Sequence, residues 1–135
     1  MKDSKPTNSA QSQAARGLIF VIDDEPMLLE LAVVILEPLG FVVRTFRDAE
    51  TAVAAFGAAK PRPDLVITDY SMHAMTGLEL IKECRRLQPR QRVLLVSGTV
   101  DEHAYRNSPI KPDSFLPKPY QPKELVDMVT NLVSV

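Results

Sequence analysis

The sequence predicts a single α/β domain: a doubly wound, five-stranded parallel sheet with helices on both faces. Three observations carry that expectation. The chain of 135 residues suits one hydrophobic core. From Leu18 onward, short apolar runs alternate with longer stretches that repeat at helical spacing. The short runs are apolar at successive positions, as strands are when both faces of a sheet are covered.

Each element has its own signal. Leu18–Ile22 is continuously apolar and too short for a helix, so it reads as the first strand. Pro26 suits the first turn of the next helix, where its missing N–H would have no partner anyway. Leu28, Ala32, Ile35 and Leu39 recur at i, i+4, i+7 and i+11, which predicts the buried face, and Gly40 is the expected stop. Phe41–Phe46 is the second strand. Asp48 predicts a cap for an Ala-rich helix with Ala49, Val53 and Phe56 inward, ended by Pro61 and Pro63. Leu65–Thr68 is the third strand, with Asp69 just past it, and Gly77–Leu87 the third helix, with Leu80, Cys84 and Leu87 in register. Arg92–Val96 is a fourth strand and Phe115–Leu116 a short fifth. Gln121–Val133 is the last helix, apolar at Leu125, Met128, Val129 and Leu132. Between strands four and five, "GTVDEHAYRNSPIKPDS" allows a helix from about Asp101 to Arg106; Pro109 and Pro112 stop it, so helix 4 is expected to be shortened.

Composition narrows the function classes. The chain is 45% hydrophobic and 24% charged with a net charge of -1, so no global field favours nucleic acid or an anionic membrane. No apolar run approaches the roughly 20 residues of a membrane span, and the N-terminus lacks the apolar core of a secretory signal. One cysteine, Cys84, excludes an internal disulfide, reads as a small core residue and suits a reducing cytoplasm. Residues 1–16, "MKDSKPTNSAQSQAAR", are polar without a periodic apolar face; they are expected to form a disordered tail, with residues 17–135 as the domain. Lys82, Arg85, Arg86, Arg90 and Arg92 read as a solvated helix face rather than a nucleic-acid site.

Right-handed crossovers and five strands favour the flavodoxin-like order 2-1-3-4-5. In such sheets ligands bind beyond the carboxyl ends of the strands where the order reverses, here between strands one and three. Asp23 and Asp24 end strand one and Asp69 ends strand three, so the three acids should meet. Carboxylates about 4 Å apart repel by roughly 4 kcal/mol per pair at an effective dielectric near 20, and a cation would relieve them. An all-oxygen donor set favours Mg²⁺, and such a site can support phosphoryl transfer with one carboxylate as nucleophile. Strand four ends "VLLVSG" and strand five leads into "FLPKPY", which bring Ser97 and Lys118 to the same rim as partners for phosphate oxygens.

These residues, as an ordered set, resemble the receiver domain of two-component response regulators from about Leu18 to Val133. The marks are "DD" after strand one, an aspartate after strand three with Met72 three on and Gly77 eight on, a small hydroxyl after strand four, and "KP" after strand five. The resemblance implies that Asp69 is the phosphoacceptor, that Asp24 binds Mg²⁺ directly with Asp23 acting through water, and that the Ser71 backbone carbonyl is a further ligand. It implies that Ser97 and Lys118 contact the phosphoryl group, that Phe115 turns inward as Ser97 moves, and that the Lys118–Pro119 bond is often cis. The expected partners are a histidine kinase or phosphotransfer protein and a downstream protein that reads the face of helix 4, strand 5 and helix 5. The expected state is a monomer or weak dimer in the cytoplasm, whose only catalysis is its own phosphorylation and dephosphorylation. It would act as a stand-alone regulator or as the receiver piece of a hybrid kinase.

Three positions depart from or leave open the family pattern. His73 stands where relatives usually carry proline, and Ser71 and Thr99 flank the path of water to the phosphate. Rival readings are a haloacid-dehalogenase-like phosphatase, an FMN binder and a phosphate-independent binding module. The first expects "DxD" after strand one, where this chain has "DDE"; the second expects a hydroxyl-rich phosphate loop.

Overall fold

The computed structural model describes residues 16–99 and 102–134. Five strands and four α-helices follow in order: β1 (Gly17–Ile22), α1 (Pro26–Leu36), β2 (Phe41–Phe46), α2 (Ala49–Ala58), β3 (Leu65–Asp69), α3 (Gly77–Leu87), β4 (Val93–Ser97), β5 (Ser114–Pro117) and α4 (Pro122–Val133). The sheet is parallel in the order β2-β1-β3-β4-β5. This is the predicted 2-1-3-4-5 arrangement.

Alternation along each strand divides the core. Ile19, Val21, Ile67, Leu94, Val96 and Leu116 pack with α1 and α4, while Phe20, Ile22, Val66, Val93 and Leu95 pack with α2 and α3. Fully burying one such side chain contributes about 1.5–3 kcal/mol, so β3 and β4, buried at every position, anchor the domain. Cys84 is buried in the second cluster, and burial pushes its thiol up to about 12.

Local chemistry sets the helix ends. Asp48 accepts from the Thr51 N–H at 2.7 Å, which holds its carboxyl below the usual value. Thr76 and Glu79 form a reciprocal capping box at α3. Gly40, with φ of 102°, closes the 3₁₀ turn after α1. The buried face of α1 is Leu29, Ala32 and Leu36; Leu29 and Leu36 each stand one position on from the expected Leu28 and Ile35, which are half-buried, as is Leu39 beyond the helix end. The segment "MLLELAVVIL" is apolar on nearly every side, so periodicity alone does not choose the face.

The expected fourth helix is reduced to a 3₁₀ turn, Glu102–Tyr105, ahead of Pro109 and Pro112. Arg85, expected on a solvated face, is a brace instead. Its guanidinium donates to the carbonyls of Gln91 and Lys111 and, at 2.9 Å, to the Asp113 carboxylate, which also accepts from the Val93 N–H. Arg16, placed in the tail by its composition, donates its N–H to the Gly40 carbonyl at 2.8 Å. The rest of the expected tail lies outside the described residues. Among the described residues, no helix is long and apolar enough to cross a membrane.

Candidate functional site

Register brings the acids together. Ile22 lies opposite Thr68, so Asp23 comes level with Asp69, and Asp69 in turn lies opposite Val96, one short of Ser97. Ser97 pairs with Pro117, which carries Lys118 to the same end of the sheet. Asp23, Asp24 and Asp69 each offer a carboxylate oxygen, all within 4.8 Å of one another; Asp23 and Asp69 are buried and Asp24 half-buried.

Lys118 sits among them. Its Nζ lies 3.0 Å from Asp23 Oδ2, 3.4 Å from Asp69 Oδ1 and 3.4 Å from Glu25 Oε1. Burial raises the Asp69 pKa above the usual carboxylate value, Lys118 opposes that, and Asp23 and Asp24 add to it. Burial works against the Lys118 charge, but the hydrogen bond and charge of Asp23, with Asp69 and Glu25 behind them, leave its pKa raised. Nearby Tyr120 is also raised, by burial and then by Asp23. The site is thus an ammonium ringed by carboxylates that outnumber it, a setting that attracts a further cation.

Ser97 is buried, and its Oγ accepts from the Thr99 N–H at 3.1 Å. The Thr99 hydroxyl lies 3.3 Å from Ser97 Oγ and 3.0 Å from Ser71 Oγ, so three hydroxyls bridge the ends of β3 and β4. Phe115 is half-buried, with its ring 6.2 Å from that of Tyr105. The Lys118–Pro119 peptide is cis.

Gly77 is where α3 meets the site. Its N–H donates to the Tyr70 carbonyl at 2.8 Å, and a Cβ there would stand 2.5 Å from the Asp69 carbonyl oxygen and 2.7 Å from Leu95 Cδ1. Only glycine lets the helix start this close to β3.

The structure therefore brings together Asp23, Asp24, Asp69, Ser97 and Lys118. Phe115 stands away from them on β5, beside the 3₁₀ turn. Sequence reasoning missed Glu25, whose contact with Lys118 spans 93 residues, and the approach of His73 Nε2 to Asp24 Oδ2 at 3.8 Å. The third letter of "DDE" was the one available signal for Glu25; nothing local marks the His73 contact.

A family model described as response regulator receiver domain matches residues 19–130. Among curated proteins, the chain is 31% identical over 114 residues to the DNA-binding response regulator MtrA of Mycolicibacterium smegmatis, covering 84% of this chain and 49% of that protein. It is 30% identical over 111 residues to the phosphate regulon transcriptional regulatory protein PhoB of Escherichia coli, covering 80% of this chain and 48% of the other. The chain spans about half the length of these two relatives. Among solved structures, a response regulator receiver domain protein from Clostridium thermocellum superposes with a TM-score of 0.77 at 26% identity, covering 87% of this chain and 94% of that one.

Proposed function

The chain belongs to the response regulator receiver domain family, and on that premise we propose that it accepts a phosphoryl group on Asp69 and thereby changes which protein it binds. The observation that carries this reading is the position of Asp69. It is a buried carboxylate at the end of a central strand, faced by Asp23, Asp24 and the Lys118 ammonium, with Ser97 one strand away.

An Asp69 oxygen attacks the phosphorus of the donor, and the donor's leaving group departs with the electron pair of the broken bond. Asp24, Asp69 and the Ser71 backbone carbonyl are the proposed Mg²⁺ ligands, with Asp23 acting through water, and three carboxylate oxygens so close together fit a small hard ion that keeps some of its water. When bound, Mg²⁺ supplies positive charge to the transferring group. Lys118 moves from its carboxylates toward a phosphoryl oxygen, and Ser97 donates its hydroxyl to another.

The product carries about -1.5 to -2 of added charge and three strong acceptors, by analogy with other phosphorylated side chains. Movement of Ser97 toward it opens space for Phe115 to rotate inward, away from Tyr105. The surface formed by the 3₁₀ turn, β5 and α4 then differs between the two states, and a downstream protein reads it. The proposed donor is a histidine kinase or phosphotransfer protein in the cytoplasm. The module turns over no external substrate; it catalyses only its own phosphorylation and dephosphorylation. It works alone or as the receiver part of a longer regulator or hybrid kinase.

Intact-mass measurement after incubation with acetyl phosphate tests this. A Mg²⁺-dependent, hydroxylamine-labile gain of one phosphoryl group is expected in the wild type and not in Asp69→Asn. Stoichiometric labelling of Asp69→Asn would refute the assignment.

A further inference from the structure

We propose that Glu25 is a positioning residue for Lys118, competing with the phosphoryl group for its ammonium and so setting how firmly that group is held. The inference rests on the roles given above to Asp69 and Lys118.

Glu25 occupies the N-cap position of α1 but does not cap it. Its backbone is extended, with φ of -97° and ψ of 108°, and its side chain makes no cap hydrogen bond. Its backbone N–H is committed to Asp23 Oδ1 at 3.0 Å. The carboxylate turns the other way, to Lys118 Nζ at 3.4 Å. Aspartate or serine is the usual choice at such a position, because a short side chain reaches the first free N–H groups of the helix. Pro26 at the first helical position removes one of those N–H groups. Glu25 has therefore given up the cap for the lysine.

An ammonium has three N–H donors, and three carboxylates surround this one: Asp23, Asp69 and Glu25. Lys118 donates hydrogen bonds to Asp23 and Glu25 and is in ion-pair reach of Asp69, so turning toward a phosphoryl oxygen draws it away from these contacts. Asp23 and Asp69 belong to the reacting cluster. Glu25 lies outside it, with its side chain 63% exposed. It draws the ammonium toward the rim at the moment when the phosphoryl group needs it.

The test is binding of beryllium fluoride, a tetrahedral mimic of a carboxylate-bound phosphoryl group, at saturating Mg²⁺, followed by NMR titration of the ¹⁵N-labelled protein. Glu25→Gln removes the charge. Glu25→Asp keeps the charge but shortens the arm by one methylene and suits the helix cap. Glu30→Gln removes an equal charge from the exposed face of α1, one turn along. Both Glu25 variants are expected to bind beryllium fluoride about two- to fivefold more tightly than wild type, the range of a largely exposed ion pair, with Glu30→Gln unchanged. Equal or weaker binding by both Glu25 variants would overturn the inference while leaving the Asp69 reading intact. So would a Glu25→Asp variant that matches wild type, because charge and not contact would then be acting. A wild-type protein that binds no beryllium fluoride with Mg²⁺ present would overturn both.

Discussion

Replacing Gly77 by alanine adds a single methyl group, and the structure says where it goes. Its carbon would stand 2.5 Å from the Asp69 carbonyl oxygen, 2.7 Å from Leu95 Cδ1 and 3.1 Å from Tyr70 Cα. Two of those neighbours are backbone, held by the Gly77–Tyr70 and Tyr70–Val96 hydrogen bonds, and cannot swing aside as a side chain can. Overpacking a filled site costs about 1–3 kcal/mol, and contacts this short with backbone belong at the upper end. Alanine recovers up to about 1 kcal/mol of helix propensity, less at a first-turn position. The net is a loss of about 2 kcal/mol, which at roughly 3–4 °C per kcal/mol for a domain of this size lowers the melting temperature by about 7 °C. Gly57→Ala is the matched comparison. Its new methyl meets only Leu87 Cδ1, at 3.7 Å, inside α2, so it should stabilise by about 0.5–1 kcal/mol. Urea unfolding followed by far-UV circular dichroism reads both. A Gly77→Ala midpoint equal to or above wild type would show that α3 can back away from β3 without cost, and the close-approach argument would fall.

Other outcomes follow from groups already described. Cys84 is buried with its thiol pushed up to about 12, so a thiol reagent at pH 8.5 should label the native protein only at its unfolding rate. Labelling at the rate of a free thiol would contradict that. Burial raises the Asp69 pKa, so without Mg²⁺ its ionisation destabilises the fold. Asp69→Asn should therefore melt higher than wild type at pH 7. The gap should close as pH falls through the raised value and vanish below the ordinary 3.8, where both forms are uncharged. A gap that persists at pH 3 would assign the effect to packing.

Much of this was legible beforehand because it is written locally. The bounds of β2 and α3 match the expectation residue for residue, since Phe41–Phe46 is bracketed by Gly40 and Asp48, and Gly77–Leu87 carries Leu80, Cys84 and Leu87 in register. The convergence of Asp23, Asp24 and Asp69 followed from topology, because parallel strands in this order leave one place for their carboxyl ends to meet. The face of α1 was not legible, since an almost uniformly apolar helix has no contrast to read. Arg85 looked like any lysine- or arginine-rich helix face; its partners at Gln91, Lys111 and Asp113 are set by where the chain returns. The Glu25–Lys118 contact joins two long side chains from opposite ends of the sequence, where no spacing rule applies.

The Arg85–Asp113 brace bears on how this protein could be re-engineered. Asp113 exchanges backbone and side-chain hydrogen bonds with Val93 before β5 begins, while Arg85 grips the chain at Lys111 from α3. The alignment of β5 is thus held by contacts at its own doorstep, beside those that Tyr105 and Ile110 make with the core. Tyr105 and Ile110 pack against the α2–α3 side of the core, so a reporter peptide or a recognition sequence is best grafted between them, within residues 106–109, where β5 is expected still to deliver Lys118 to the acids.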